Sequence, residues 1–139
     1  LAWANSNWTH LAISTGLPAR LTPVDTDNYV LSEKMEMDYA PRKIKLPDSM
    51  IPQESFAVQK HHLDTNHHVN NAQYVDIARE LVPSGTEIGE IRAEYRKAAV
   101  LGDEIVVKSA REGRSHLVSL CNTNGDVFAN IELKERTQP

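Results

Sequence analysis

The stretch Asn70-Asn-Ala-Gln-Tyr-Val-Asp-Ile-Ala-Arg-Glu-Leu-Val-Pro-Ser-Gly85 decides the fold. Ala72, Val75, Ala78 and Val82 recur at helical spacing, Asn70 and Asn71 are favourable N-cap residues, and Pro83-Ser84-Gly85 stops the run. Tyr74, Ile77 and Leu81 widen the apolar face, which leaves Gln73, Asp76, Arg79 and Glu80 as the positions suited to water. A helix apolar over so much of its circumference is expected to be enclosed by other structure.

Beyond Gly85 the period changes to two. Ile91, Ala93 and Tyr95 alternate with Arg92, Glu94 and Arg96; Ile105 and Val107 follow a Gly102-Asp103 turn; His116 to Cys121 follows Gly113; Val127, Ala129, Ile131 and Leu133 follow Asn124-Gly125. Asn-Gly between two alternating runs is a strong hairpin signal. Ahead of the helix, Phe56-Ala57-Val58-Gln59 reads as a short strand. The order strand, helix, four strands predicts an α+β hotdog fold, an antiparallel sheet wrapped around one long central helix.

Upstream the signals weaken. Residues 1–14 intermingle apolar Trp3, Trp8, Leu11 and Ile13 with Asn5, Ser6, Asn7 and Thr9, which suits an extended strand with no partner in this chain. Residues 15–54 hold Pro18, Pro23, Pro41, Pro47 and Pro52 and a mixed-charge run from Glu33 to Lys45. That is linker composition, expected to lie across the surface of the domain at 55–139. The start at Leu1 instead of Met suggests a fragment or a processed form.

The 139 residues, 40% of them hydrophobic, suffice for one core. A formal net charge of -4 leaves no basic footprint for nucleic acid. No stretch approaches the roughly 20 apolar residues of a membrane span, and no signal-peptide order opens the chain. Cys121 is the single cysteine, so no intrachain disulfide forms, as suits a reducing compartment.

Just before the helix lies Asp64-Thr-Asn66-His-His68. If His61 to His68 is extended, period two puts Asp64, Asn66 and His68 on one side of the chain. Hydrolysis of an acyl group needs an activated water or a carboxylate nucleophile, a group to hold the water or carbonyl, and donors for the oxyanion. Asp64 suits base or nucleophile, Asn66 suits orientation, and His68 suits proton movement near its reference pKa of about 6.5. Unpaired N–H groups at the helix start, around Asn70, Asn71 and Ala72, suit the oxyanion. Metal ligation by His61, His62, Asp64, His67 and His68 is the weaker alternative, because neighbouring histidines on an extended chain point apart and no distant ligand pair completes a site. Asn70 and Asn71 serve equally well as simple caps, and Tyr74 and Tyr95 read as packing residues.

The segment from Asp64 to Tyr74 resembles the acyl-acyl-carrier-protein thioesterases of plants and bacteria, whose second hotdog domain carries Asp-x-Asn-x-His-Val-Asn-Asn-x-x-Tyr. Trp8, Thr15-Gly16-Leu17-Pro18-Ala19-Arg20, Glu80 and Glu94-Tyr95-Arg96 extend the likeness over most of the chain. The resemblance implies catalytic roles for Asp64, Asn66 and His68, hydrolysis of fatty-acyl carrier-protein thioesters, acyl carrier protein as partner, and neither metal nor organic cofactor. It also implies that residues 1–14 are the last strand of an otherwise missing first hotdog domain, with pairing to that half or to a second copy. One departure stands out: where plant members have Glu then Cys, this chain has Ala98 and Ala99. Asp64 then acts without help, or activity is weak, or Glu94 on the same strand face substitutes. Loss of catalysis would leave a non-hydrolytic acyl-binding or assembly module. The short turns and the missing Glu-Cys pair look more bacterial than plastid, which favours the cytoplasm.

Overall fold

The computed structural model describes residues 2–137. The chain forms two compact units, one ending at Arg42 and one beginning at Lys43. In the first, Leu11 bridges Pro18 across a turn in which Gly16 takes a φ of 67°. A four-residue helix α1 (Pro23–Thr26) follows, its entry fixed by Asp25 accepting the Thr22 N–H at 2.8 Å. Leu1, part of the strand expected at 1–14, lies outside the described residues. Residues 2–14 form no strand beyond the Leu11 bridge, and Trp3, Trp8 and Ile13 are exposed. A strand needs a neighbour for its N–H and C=O groups, and among its described residues this unit offers only that bridge.

The second unit is built from β1 (Ile51–Pro52), β2 (Phe56–Ala57), α2 (Asn71–Glu80), β3 (Ile88–Tyr95), β4 (Glu104–Glu112), β5 (Ser115–Cys121) and β6 (Val127–Glu135). The antiparallel sheet runs β1-β4-β5-β6-β3, and β2 also pairs with β4. The four long strands and the helix fall where the changes of period put them. The β5–β6 turn shows why Asn-Gly was informative: Asn122 Oδ1 accepts the Asn124 and Asp126 N–H groups at 3.0 and 2.8 Å, and Gly125 takes a φ of 87°. β1 was not legible because Pro52 and its neighbours read as linker; a proline is tolerated here because β1 sits at the sheet edge.

α2 packs on β6. Tyr74 and Ala78 meet Leu120, Ala129, Ile131 and Leu133 in the core. Enclosure of the helix is one-sided, however: Val75, Ile77 and Leu81 remain half-buried, because the sheet covers only one face of it.

On β3 the expected alternation is present but its burial is inverted. Ile91, Ala93 and Tyr95 pair with Leu133, Ile131 and Ala129 and so share the helix side, yet Ile91 and Tyr95 are 51% and 43% exposed. β3 is an edge strand, with no further strand beyond it among the described residues of this unit. Arg92 and Glu94, on the opposite face, are the half-buried pair. Residues 43–54, read as linker, explain this. The Ile44 N–H donates to Glu94 Oε2 at 3.1 Å, while Ile51–Pro52 pairs with β4 at the other side of the sheet. The segment therefore straps the face away from α2, where Ile44, Leu117 and Cys121 are buried outside the main core.

Candidate active site

The segment before α2 is not extended. Lys60–His62 forms a 3-10 turn, and the chain then closes on itself at Asp64. Asp64 Oδ1 accepts the Asn66 N–H at 2.8 Å and the His68 N–H at 3.2 Å, while the Asp64 N–H donates to the His68 carbonyl at 2.8 Å. An Asp side chain that satisfies backbone groups two and four residues on forms a tight turn in preference to a strand. His67 completes it with a φ of 61°, in the left-handed region. The period-two placement of Asp64, Asn66 and His68 is thereby overturned: the loop projects Asp64 and His68 one way and leaves Asn66 exposed, outside the cleft.

That cleft, of about 320 Å³, is lined by Asp64, His68, Asn71, Tyr74, Tyr95 and Ala98, with Arg96 and Lys97 at its rim. Its walls are tied together. The Val69 N–H donates to the Ala99 carbonyl at 2.9 Å and the Ala99 N–H donates to the Tyr74 hydroxyl at 3.1 Å, so the β3–β4 connection is clamped to both the Asp64 loop and α2. Tyr95 donates to the Asn71 carbonyl at 3.0 Å. Burial pushes both phenols above their usual range, which keeps them protonated.

Among the expected oxyanion donors the roles separate. Asn70 is the N-cap, its Oδ1 accepting the Ala72 N–H at 2.9 Å, so the Ala72 N–H is not available. Asn71 borders the cleft, and its N–H has no partner among the described residues. It opens a ten-residue helix whose N-terminus carries roughly half a positive charge. Glu94 is not brought to the cleft. Its carboxylate faces the strap, accepting from Ile44 and, at 3.4 Å, from Asn130 Nδ2, with Arg96 Nε at 3.9 Å. Among the described residues no group of three or more His, Cys, Asp or Glu is placed to hold a metal ion. No helix among them is long and apolar enough to cross a membrane.

A family model described as the acyl-ACP thioesterase C-terminal domain matches residues 45–134, more than half of the chain. The chain belongs to the acyl-ACP thioesterase family. A search of curated proteins finds no match. An acyl-ACP thioesterase from Bacteroides thetaiotaomicron superposes with a TM-score of 0.76 at 18% identity, over 91% of this chain and 53% of that one. The 12:0-ACP thioesterase from Umbellularia californica gives 0.76 at 19% identity, over 92% and 53%. A Staphylococcus aureus protein solved in complex with CoA gives 0.53 at 17% identity, over 64% and 76%. The hotdog fold is thus shared, and the chain spans about half the length of the two acyl-ACP thioesterases. Within this acyl-ACP thioesterase domain Ala98 lies in the cleft with Asp64 and His68.

Tyr74, Tyr95, Arg96 and Lys97 line the cleft although sequence reasoning had given the two tyrosines to packing. One signal was present: Asn71 and Tyr74 are three residues apart on one helix face.

Proposed function

We propose that this chain supplies the catalytic half of an enzyme that hydrolyses fatty-acyl-acyl-carrier-protein thioesters, releasing free fatty acid and the carrier thiol and so ending fatty acid synthesis. The observation that carries the reading is the meeting, in one cleft of a family member, of Asp64, His68 and Asn71, whose N–H is unpaired among the described residues.

Asp64 Oδ1 is committed to its loop, while Oδ2 makes no hydrogen bond among the described residues and is available to the reaction. In this mechanism Oδ2 takes a proton from water as the hydroxide oxygen bonds to the thioester carbon. The Asn71 N–H faces the oxyanion, and the departing thiolate takes a proton from His68 as the C–S bond breaks. Asn66 shapes the loop. The reaction needs neither metal nor organic cofactor. The partner in this reading is acyl carrier protein; Arg96 and Lys97 border the cleft, each beside a carboxylate of this chain, Glu94 at 3.9 Å and Asp126 at 3.7 Å. The free β3 edge, with Ile91 and Tyr95 exposed on it, suits pairing with a second hotdog half, whether a first domain or another copy. A cytoplasmic setting fits this role.

A second reading, acyl-thioester binding without hydrolysis, is favoured by one observation, that Ala98 leaves the cleft with Asp64 as its single carboxylate. Release of thiol from acyl carrier protein by the intact protein supports hydrolysis; tight binding with no thiol release supports the second reading.

A further inference from the structure

We propose that the Tyr74 hydroxyl is a further catalytic group, donating a hydrogen bond to the carbonyl oxygen of the bound thioester. The assignment rests on the thioesterase reading above and extends it to a residue that sequence reasoning gave to packing.

Tyr74 is 2% exposed and borders the same cleft as Asp64, His68 and Asn71. Its single hydrogen bond among the described residues is the one it accepts from the Ala99 N–H at 3.1 Å. The hydroxyl's own proton therefore has no acceptor. Buried tyrosine hydroxyls ordinarily find one, so a buried phenol left with a spare proton beside a reaction cleft points to a ligand oxygen there. Tyr95 provides the contrast: its proton is spent on the Asn71 carbonyl.

The hydroxyl is also held in place. Ala99 is fully buried, and its carbonyl accepts the Val69 N–H. The Tyr74 oxygen cannot turn away without stranding the buried Ala99 N–H, and with one lone pair engaged there its proton must lie off that axis. Asn71, whose N–H has no partner among the described residues, borders the same cleft, so a backbone N–H and a phenol O–H are both available there as the paired donors that a tetrahedral intermediate requires. Burial keeps the phenol protonated through the neutral range, and the hydrogen bond it accepts polarises the one it gives. No proton is transferred to the substrate oxygen. Its negative charge grows as the water oxygen bonds to carbon and returns to the C=O bond as the thiolate leaves.

The test is Tyr74→Phe in the intact protein, which keeps the ring. Loss of one oxyanion donor should lower kcat on acyl carrier protein by about 100-fold, with KM within about twofold. A hydroxyl that merely anchored Ala99 could also slow turnover, so binding of two non-hydrolysable acyl-pantetheine analogues separates the roles. One is a ketone with CH2 in place of sulfur; the other is a thioether lacking the carbonyl. Tyr74→Phe should weaken the ketone about fivefold and leave the thioether unchanged, as loss of one neutral hydrogen bond implies. Equal weakening of both, or an unchanged kcat, would overturn the proposal. If Tyr74→Phe does not fold, 3-fluorotyrosine at position 74 provides a stronger donor in the same shape. It should tighten ketone binding relative to the thioether, and no relative change would count against the proposal. Wild-type protein that binds the ketone but releases no thiol would defeat the thioesterase reading, while the ketone-thioether comparison would still decide the Tyr74 contact.

Discussion

Asp64 and His68 close on each other twice: the Asp64 N–H donates to the His68 carbonyl at 2.8 Å, and the His68 N–H donates to Asp64 Oδ1 at 3.2 Å. The carboxylate that faces the cleft is therefore also the one that folds its loop. Asp64→Asn retains an Oδ1 acceptor, whereas Asp64→Ala leaves the Asn66 and His68 N–H groups to water. Asp64→Ala should cost about 0.5–1.5 kcal/mol and Asp64→Asn well under half of that. Urea denaturation measures both; equal losses would mean that Oδ1 does not hold the loop.

His67 takes a φ of 61°, which a β-branched side chain tolerates badly. His67→Gly should be neutral or stabilising, and His67→Val should lose about 1–2 kcal/mol. Thermal unfolding of the two variants checks the turn, and a harmless valine would argue against it.

Ala98 borders the cleft with Asp64. Ala98→Glu puts a second carboxylate there, and two neighbouring carboxylates resist ionising together. Activity that depends on an ionised Asp64 should then fail earlier as pH drops, so the acid limb of the kcat/KM profile should move to higher pH. An unmoved limb would place the new side chain away from Asp64.

Glu94 holds the strap at Ile44 instead of serving the cleft. Glu94→Ala should loosen residues 43–52, destabilise the unit by about 1–2 kcal/mol, and leave kcat within about twofold. Cys121, the single cysteine, is buried on the strapped face, so its labelling by a thiol reagent should quicken. A large fall in kcat with wild-type labelling would restore Glu94 as a catalytic carboxylate.

The helix and the four long strands were legible because each is announced by a change of hydrophobic period and bounded by Asn, Gly or Pro. The Asp64 loop was not, since its shape comes from one side chain satisfying two backbone groups, which periodicity does not encode. Burial on β3 misled for a different reason. Ile91 and Tyr95 alternate as core residues do, but the edge position that exposes them depends on which strand ends up outermost. Glu94 looked like a solvated or catalytic carboxylate, and only the path of residues 43–52 across the sheet gives it another task. The Asn-rich helix start reads as cap or donor; in the structure Asn70 caps the helix and Asn71 borders the cleft.

The central claim is tested most directly by thiol release from fatty-acyl-acyl carrier protein, comparing wild type with Asp64→Asn in the intact protein. Wild type should release free thiol with turnover, and Asp64→Asn should fold normally yet lose about 10²–10⁴-fold in kcat. Equal release by the two proteins, or none by either, would contradict the account.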